Sequence, residues 1–301
     1  MRRAGLTPAF RRPSAWIIAL LVLWLASEAH GHGARLPFDQ WGGFSTPTVR
    51  CQRVIARAAA QCAGTAWHAR RACRSAQLAG APCDEAATAA IISAASIRAL
   101  NTVDDYCSER QAIDLQYLGS FDLQADVSRF CRAWTTAAES AVFRPFTGSG
   151  EISATERQCA EAAADAADDV MESVFRNRRQ CLDRIASIAL QAPNRTPLLD
   201  SAAQRMNAAR DAVVIRLSAR CGAAAFATLY GRTPDVFVDG LAQRADCIGG
   251  QFYIQNAVLC PAPVCGNGIL EQPQDPLLTD EDCDDGNTND GDACPSTCRF
   301  R

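Results

Sequence analysis

Residues 46–83 read TPTVRCQRVIARAAAQCAGTAWHARRACRSAQLAGAPC, and this stretch decides the fold. Thr46 and Pro47 make a helix start, a hydroxyl residue as N-cap with proline in the first turn, and Gly80 marks the far end. Between them stand Cys51, Cys62 and Cys73, spaced 11 and 11. Eleven residues carry an α-helix through about three turns plus 20°, so the three sulfurs fall on one stripe. That stripe must face a partner.

The next helix, expected from Pro82 to Ser108, carries Cys83 near its start and Cys107 near its end. Cys51 and Cys73 are 22 residues apart and Cys83 and Cys107 are 24 apart. Each spacing is about 33 to 36 Å of helix. In an antiparallel hairpin Cys73 therefore lies opposite Cys83, and Cys51 opposite Cys107, which predicts two bridges.

A second hairpin opens at Ser153-Ala154-Thr155-Glu156, a capping box, and runs through Cys159 and Cys181, again 22 apart. Its returning helix starts at Thr196-Pro197 and ends near Cys221, which lies opposite Cys159 as Cys107 does opposite Cys51. The second half has no equivalent of Cys83. Cys62, Cys131 and Cys181 are left without an obvious partner, with one pair among them open. Between the halves, Leu123, Val127, Phe130, Trp134, Ala138 and Val142 recur at a helical period and predict a bridging helix over 122–143. Pro145 and Thr147-Gly148-Ser149-Gly150 form the connecting loop, and Thr233-Pro234 starts a last short helix to about Asp246.

The expected fold is mainly α: disulfide-pinned antiparallel helical hairpins forming a bundle over 46–246, with halves 46–120 and 151–222. A small irregular cysteine-rich module, 247–301, follows. Low aromatic content (7%) and abundant alanine fit closely packed helices. The net charge is −3, lysine is absent, and arginines are interspersed with acids, so nothing points to nucleic acid.

The N-terminus predicts export. Arg2, Arg3, Arg11 and Arg12 precede the apolar run Trp16–Ala26, and Ser27-Glu28-Ala29 has small residues at the cleavage-determining positions. Residues 1–29 thus read as a secretory signal peptide, with 30–45 as a linker. An 11-residue apolar run is short of the ~20 residues that span a bilayer. No later segment reads as apolar enough to span, so no membrane span is expected after its removal. Fifteen cysteines, all downstream, then lie where thiols oxidise, outside the cell, in a periplasm or at the cell surface. The odd count leaves at least one thiol unpaired, joined to another chain or reactive.

From Cys247 the composition changes, with six cysteines in 52 residues (Cys247, Cys260, Cys265, Cys283, Cys294, Cys298) and many Gly, Pro and Asn. Such a segment has little core and needs bridges or bound ions. Residues 280–292 hold seven acids and no base. Calcium, which takes six to eight hard oxygens, is the expected counter-ion, with Asp282, Asp284, Asp285, Asn287, Asp290 and Asp292 as ligands. The spacing is not an EF-hand, and a solvated acidic turn is the alternative. Zinc on Cys260, Cys265, Cys294 and Cys298 is disfavoured by loose spacing and the oxidising compartment.

Cys265-Gly266-Asn267-Gly268, Cys283-Asp284-Asp285-Gly286-Asn287, and Gly291-Asp292-Ala293-Cys294 with Cys298 resemble the Myxococcus cysteine-rich repeat. That family is a short four-cysteine module of secreted bacterial proteins. The chain departs from it in a longer insert before Glu281-Asp282 and in Ala293, where the family has glycine. The helical part is similar to uncharacterised regions that accompany such modules in exported delta-proteobacterial proteins. The resemblance implies location and architecture and implies no reaction.

Catalytic signatures are sparse. The histidines are His30, His32 and His68, and no phosphate loop, His-Glu-x-x-His helix or Gly-x-Ser-x-Gly turn occurs. The pairs Asp104-Asp105 and Asp168-Asp169 read as solvated helix faces. The expected function is therefore an extracellular or cell-surface structural or binding protein for a protein or glycan, and not an enzyme. The alternatives are an exported enzyme with a carboxylate-based site and a protease inhibitor presenting residues 192–198.

Overall fold

Ser45 accepts a hydrogen bond from the Thr48 amide (3.3 Å) and starts helix α1, Thr46–Leu78. The cap thus sits one residue ahead of the expected Thr46, and Pro47 keeps its first-turn place. Cys51, Ile55, Ala59, Cys62, Ala66 and Cys73 form the buried stripe of α1. Asp84 caps α2, Glu85–Tyr106, by accepting from the Ala87 amide (2.9 Å). Cys83 therefore stands just outside that helix and Cys107 ends it. The two bridges pin both ends of the hairpin: Cys51 is joined to Cys107 and Cys73 to Cys83, with Cα separations of 5.1 and 4.9 Å.

The structure, a computed structural model, describes residues 45–146, 152–188, 196–250, 252–253 and 294–297. All of these belong to one unit spanning His32–Arg301. Among them there are helices and no strand.

A capping box of Ser108 and Gln111 opens the short α3, Glu109–Asp114, and α4 follows over Ser120–Phe143. As the sequence pattern suggests, α4 bridges the halves, packing on α1 and on the first helix of the second half, and it is also a wall of the core. Phe130, Trp134, Ala137, Ala138 and Val142 are at most 1% exposed, and Cys131 is joined to Cys62 (Cα–Cα 5.3 Å). The reason is that α1 packs against both α2 and α4. The outer cysteines of its stripe serve one neighbour and the middle one serves the other.

The second half repeats the device. Ser153 and Glu156 form the expected capping box at the start of α5, Ala154–Val170. A π-helical turn, Met171–Phe175, leads without a break into α6, Arg176–Ile188. Helix α7, Thr196–Cys221, returns, and Cys221 is joined to Cys159 (Cα–Cα 4.7 Å). The α5 face against it is nearly all alanine, from Ala160 to Ala167, which lets helices approach closely.

Gly222 (φ 79°) and Gly231 (φ 67°) bracket the short α8, Ala223–Tyr230, each in a region that a side chain disfavours. The last helix, α9, runs Pro234–Gly250, past the expected end at Asp246. Cys247, Ile248, Phe252 and Tyr253 are consequently part of the bundle core and not of a separate tail. Helix α9 packs against α4, α5, α6 and α7, so the two hairpins share one interior. The ring of Phe130 lies 4.8 Å from that of Phe252, and the Tyr230 hydroxyl donates to the Val142 carbonyl (3.0 Å) across the halves.

Helix α2 qualifies by length and apolarity as a membrane-crossing segment, with mean hydropathy 1.3 and 22% of its apolar window buried. The expectation that no segment beyond the leader is apolar enough needs that correction. The missed signal is local, since Glu85 and Arg98 are the only charges between Asp84 and Asp104. Two disulfides nevertheless tie α2 to α1, whose arginines at 50, 53, 57, 70, 71 and 74 oppose entry into hydrocarbon.

Candidate functional site

The densest polar construction joins α1, α5 and α7. Asp165, Asp168 and Asp169 stand at i, i+3 and i+4 on α5 and share one face. Arg71 of α1 donates to both Asp165 and Asp168, and the Trp67 indole N–H, from a fully buried ring, donates to Asp168. From the other side Arg220 donates to Asp165, and Arg216 to Asp169 at 2.7 Å. The hairpins are thus sutured by alternating charges.

Partial burial works to raise the Asp165 carboxyl, but the hydrogen bonds and charges of Arg220 and Arg71 outweigh it and hold the group below the ordinary carboxylate range. Burial likewise works against the Arg71 guanidinium, and its two carboxylates outweigh it, raising its pKa. A carboxylate so held is a poor general acid at neutral pH.

Two shallow grooves flank this suture. One, about 320 Å³, lies between α5 and α7 and is lined by Asp165, Asp169, Arg216 and Arg220. The other, about 370 Å³, follows the π-turn, with Gly64, Met171 and Phe175 in its floor and His68, Arg176 and Arg179 at its edge. A π-turn inside an α-helix is rare and recurs at functional places. His68 is exposed, its Nδ1 3.6 Å from an Asp168 oxygen. The Arg179 Nε is buried and has no hydrogen-bond partner among the described residues.

The pair read as solvated, Asp168-Asp169, belongs to this suture and is only partly solvated. Asp104 does lie on an exposed surface, where it accepts from the Gln124 amide (2.6 Å). Nothing in the local sequence announces the Asp–Arg suture, because its partners lie 47 to 97 residues away.

Cys181 is the unpaired cysteine among the described residues. It is buried, unpaired, and its Sγ is 3.4 Å from the Leu198 carbonyl. Burial raises its pKa against the opposing pull of Arg178, Arg205 and Arg184, so the thiol stays protonated and unreactive at neutral pH. Its counterpart by spacing in the first half, Cys73, finds Cys83, and the second half offers nothing equivalent.

The expected calcium ligands Asp282, Asp284, Asp285, Asn287, Asp290 and Asp292 lie outside the described residues, as do Cys260, Cys265, Cys283 and Cys298. Cys247 and Cys294 are buried and disulfide-bonded. Cys73, Cys83 and Glu85 cluster with ligand atoms within 4.8 Å of one another, but the two sulfurs are bonded to each other and are not donors of the kind calcium takes.

No family model matches this chain, and no curated protein or solved structure matches it either.

Proposed function

We propose that this chain is exported and acts outside the cytoplasm as a rigid helical scaffold that binds or organises other molecules. The observation that carries this reading is the set of four disulfides within one helical core, Cys51–Cys107, Cys62–Cys131, Cys73–Cys83 and Cys159–Cys221. Such a framework belongs to an oxidising compartment, and the leader at residues 1–29 supplies the route there. A surface knit by Arg–Asp pairs and shallow grooves suits presentation of a fixed shape. The cysteine-rich segment after the bundle, with its acidic stretch 280–292, is the calcium-stiffened attachment part of this reading.

An exported enzyme working from Asp104 or Asp168 draws no support from their settings, since one is exposed beside Gln124 and the other is engaged by Trp67 and Arg71.

Fractionation of expressing cells, with thiols trapped by a cell-impermeant maleimide, tests the reading. The expected result is a chain cleaved after Ala29, found outside the cytoplasm, with the eight cysteines of these four bridges unlabelled. A full-length cytoplasmic chain with reduced thiols overturns it. For the calcium part, titration of the intact chain is expected to give saturable binding that Asp284→Asn and Asp290→Asn weaken at least about tenfold. A flat titration removes calcium from the account and leaves the scaffold standing.

A further inference from the structure

The corner between α2 and α4 displays large apolar side chains in a fixed frame. Leu118 and Phe121 are each 84% exposed, Ile113 is 56% and Tyr106 is 48%. Single exposed apolar residues are ordinary; four within 16 residues of chain are not.

The frame is braced on every side. Tyr117, between the exposed residues, is 7% exposed and anchors the turn to the core. The Leu118 amide donates to Asp122 (3.0 Å), and the Ser120 amide donates to the Glu109 carboxylate (2.8 Å). Gln116 holds a left-handed conformation (φ 69°). Gly119 (φ 153°) meets Glu109 so closely that an added Cβ would lie 2.5 Å from its Oε1. A floppy loop would let Leu118 and Phe121 fold back onto the protein. This one holds them outward, which lowers the entropic cost of inserting them into a partner.

Charge says what kind of partner. Residues 104–122 hold five acids, Asp104, Asp105, Glu109, Asp114 and Asp122, against Arg110, and Arg50 of α1 brings a second base to the corner, 5.2 Å over the Tyr106 ring. That net −3 in one corner equals the net charge of the whole chain. Such a rim repels acidic surfaces and anionic lipid and attracts a basic one.

We infer that the Ile113–Leu118–Phe121 corner is a docking surface for a protein partner that offers an apolar strip or pocket flanked by arginine or lysine. Leu118 and Phe121 are the anchors, and the surrounding carboxylates set orientation and exclude acidic competitors. This deepens the scaffold reading by naming its working face. The export experiment does not touch that face, so the two fail separately.

The test uses the intact, oxidised chain and two fluorescent peptides with the same Trp-Leu-Phe centre, one flanked by arginines and one by glutamates. Neutral and anionic phospholipid vesicles and a sedimentation series run alongside. The inference expects the arginine-flanked peptide to bind, more weakly as salt rises, and the glutamate-flanked one to bind at least about tenfold less well. Leu118→Ser with Phe121→Ser is expected to weaken binding at least about tenfold with the melting temperature unchanged, since both side chains are outside the core. Asp104→Asn with Asp105→Asn is expected to weaken it several-fold. The inference is overturned if neither peptide binds, if both bind equally, or if the serine variant binds as the parent does. It is overturned equally if those residues prove to drive vesicle binding or self-association, which would assign the corner to lipid or to a second copy.

Discussion

Asp168 accepts from both Arg71 and the buried Trp67 indole, so removing its carboxylate strands the indole N–H and leaves Arg71 with Asp165. Asp168→Ala is expected to cost about 2 to 3 kcal/mol in urea denaturation, because an unpaired buried donor loses its solvation without return. Asp169→Ala, whose carboxylate is exposed and meets Arg216 at 2.7 Å, is expected to cost under about 1 kcal/mol. Equal costs would contradict the assignment of roles. These adjacent aspartates look alike in the sequence, and only the tertiary neighbours tell them apart. Cys181 makes the same point: the sequence leaves it with Cys62 and Cys131 as three cysteines with one pair open, and only the packing of α1 on α4 joins the other two and leaves Cys181 beside the Leu198 carbonyl. Site-resolved alkylation is expected to leave Cys181 unmodified in the native chain and to modify it on unfolding; rapid native labelling would place it at the surface.

The helices are pinned at matched ends, and loop length ranks the pins. Cys51–Cys107 and Cys159–Cys221 close 56 and 62 residues, whereas Cys73–Cys83 closes 10. On chain entropy each long bridge is worth about 4 kcal/mol and the short one about 3. Paired Cys→Ser variants are therefore expected to lower the denaturation midpoint more for either long bridge than for Cys73–Cys83, and the reverse order would contradict the account. Helix period and cysteine spacing made the hairpin partners readable, as well as the start of α7 and the capping box of α5. They did not reveal that α4 is core, because an amphipathic period shows that a helix buries a face without showing against what. The π-turn at Met171–Phe175 was equally hidden. One extra residue in a helical turn leaves no mark in composition.

For the whole molecule, pH separates the sutured surface from the interior. Asp165 is depressed in the folded chain, so the stability it contributes is present above its unfolded pKa and is lost as pH falls through its lower folded value. Tyr117, Tyr230 and Tyr253 are raised, chiefly by burial, so their contribution is present below the unfolded tyrosine value of about 10 and is lost as pH rises beyond it. Thermal melts are thus expected to be flat near neutrality and to decline below about pH 4 and above about pH 10. A maximum at either extreme would contradict this electrostatic layout.

The central claim is that one disulfide framework closes one shared core. Non-reducing peptide mapping by mass spectrometry of the native chain tests it most directly. The structure predicts Cys51 with Cys107, Cys62 with Cys131, Cys73 with Cys83 and Cys159 with Cys221, and Cys181 as a thiol. Cys62 or Cys131 joined to Cys181, or Cys51 joined to anything but Cys107, would contradict it.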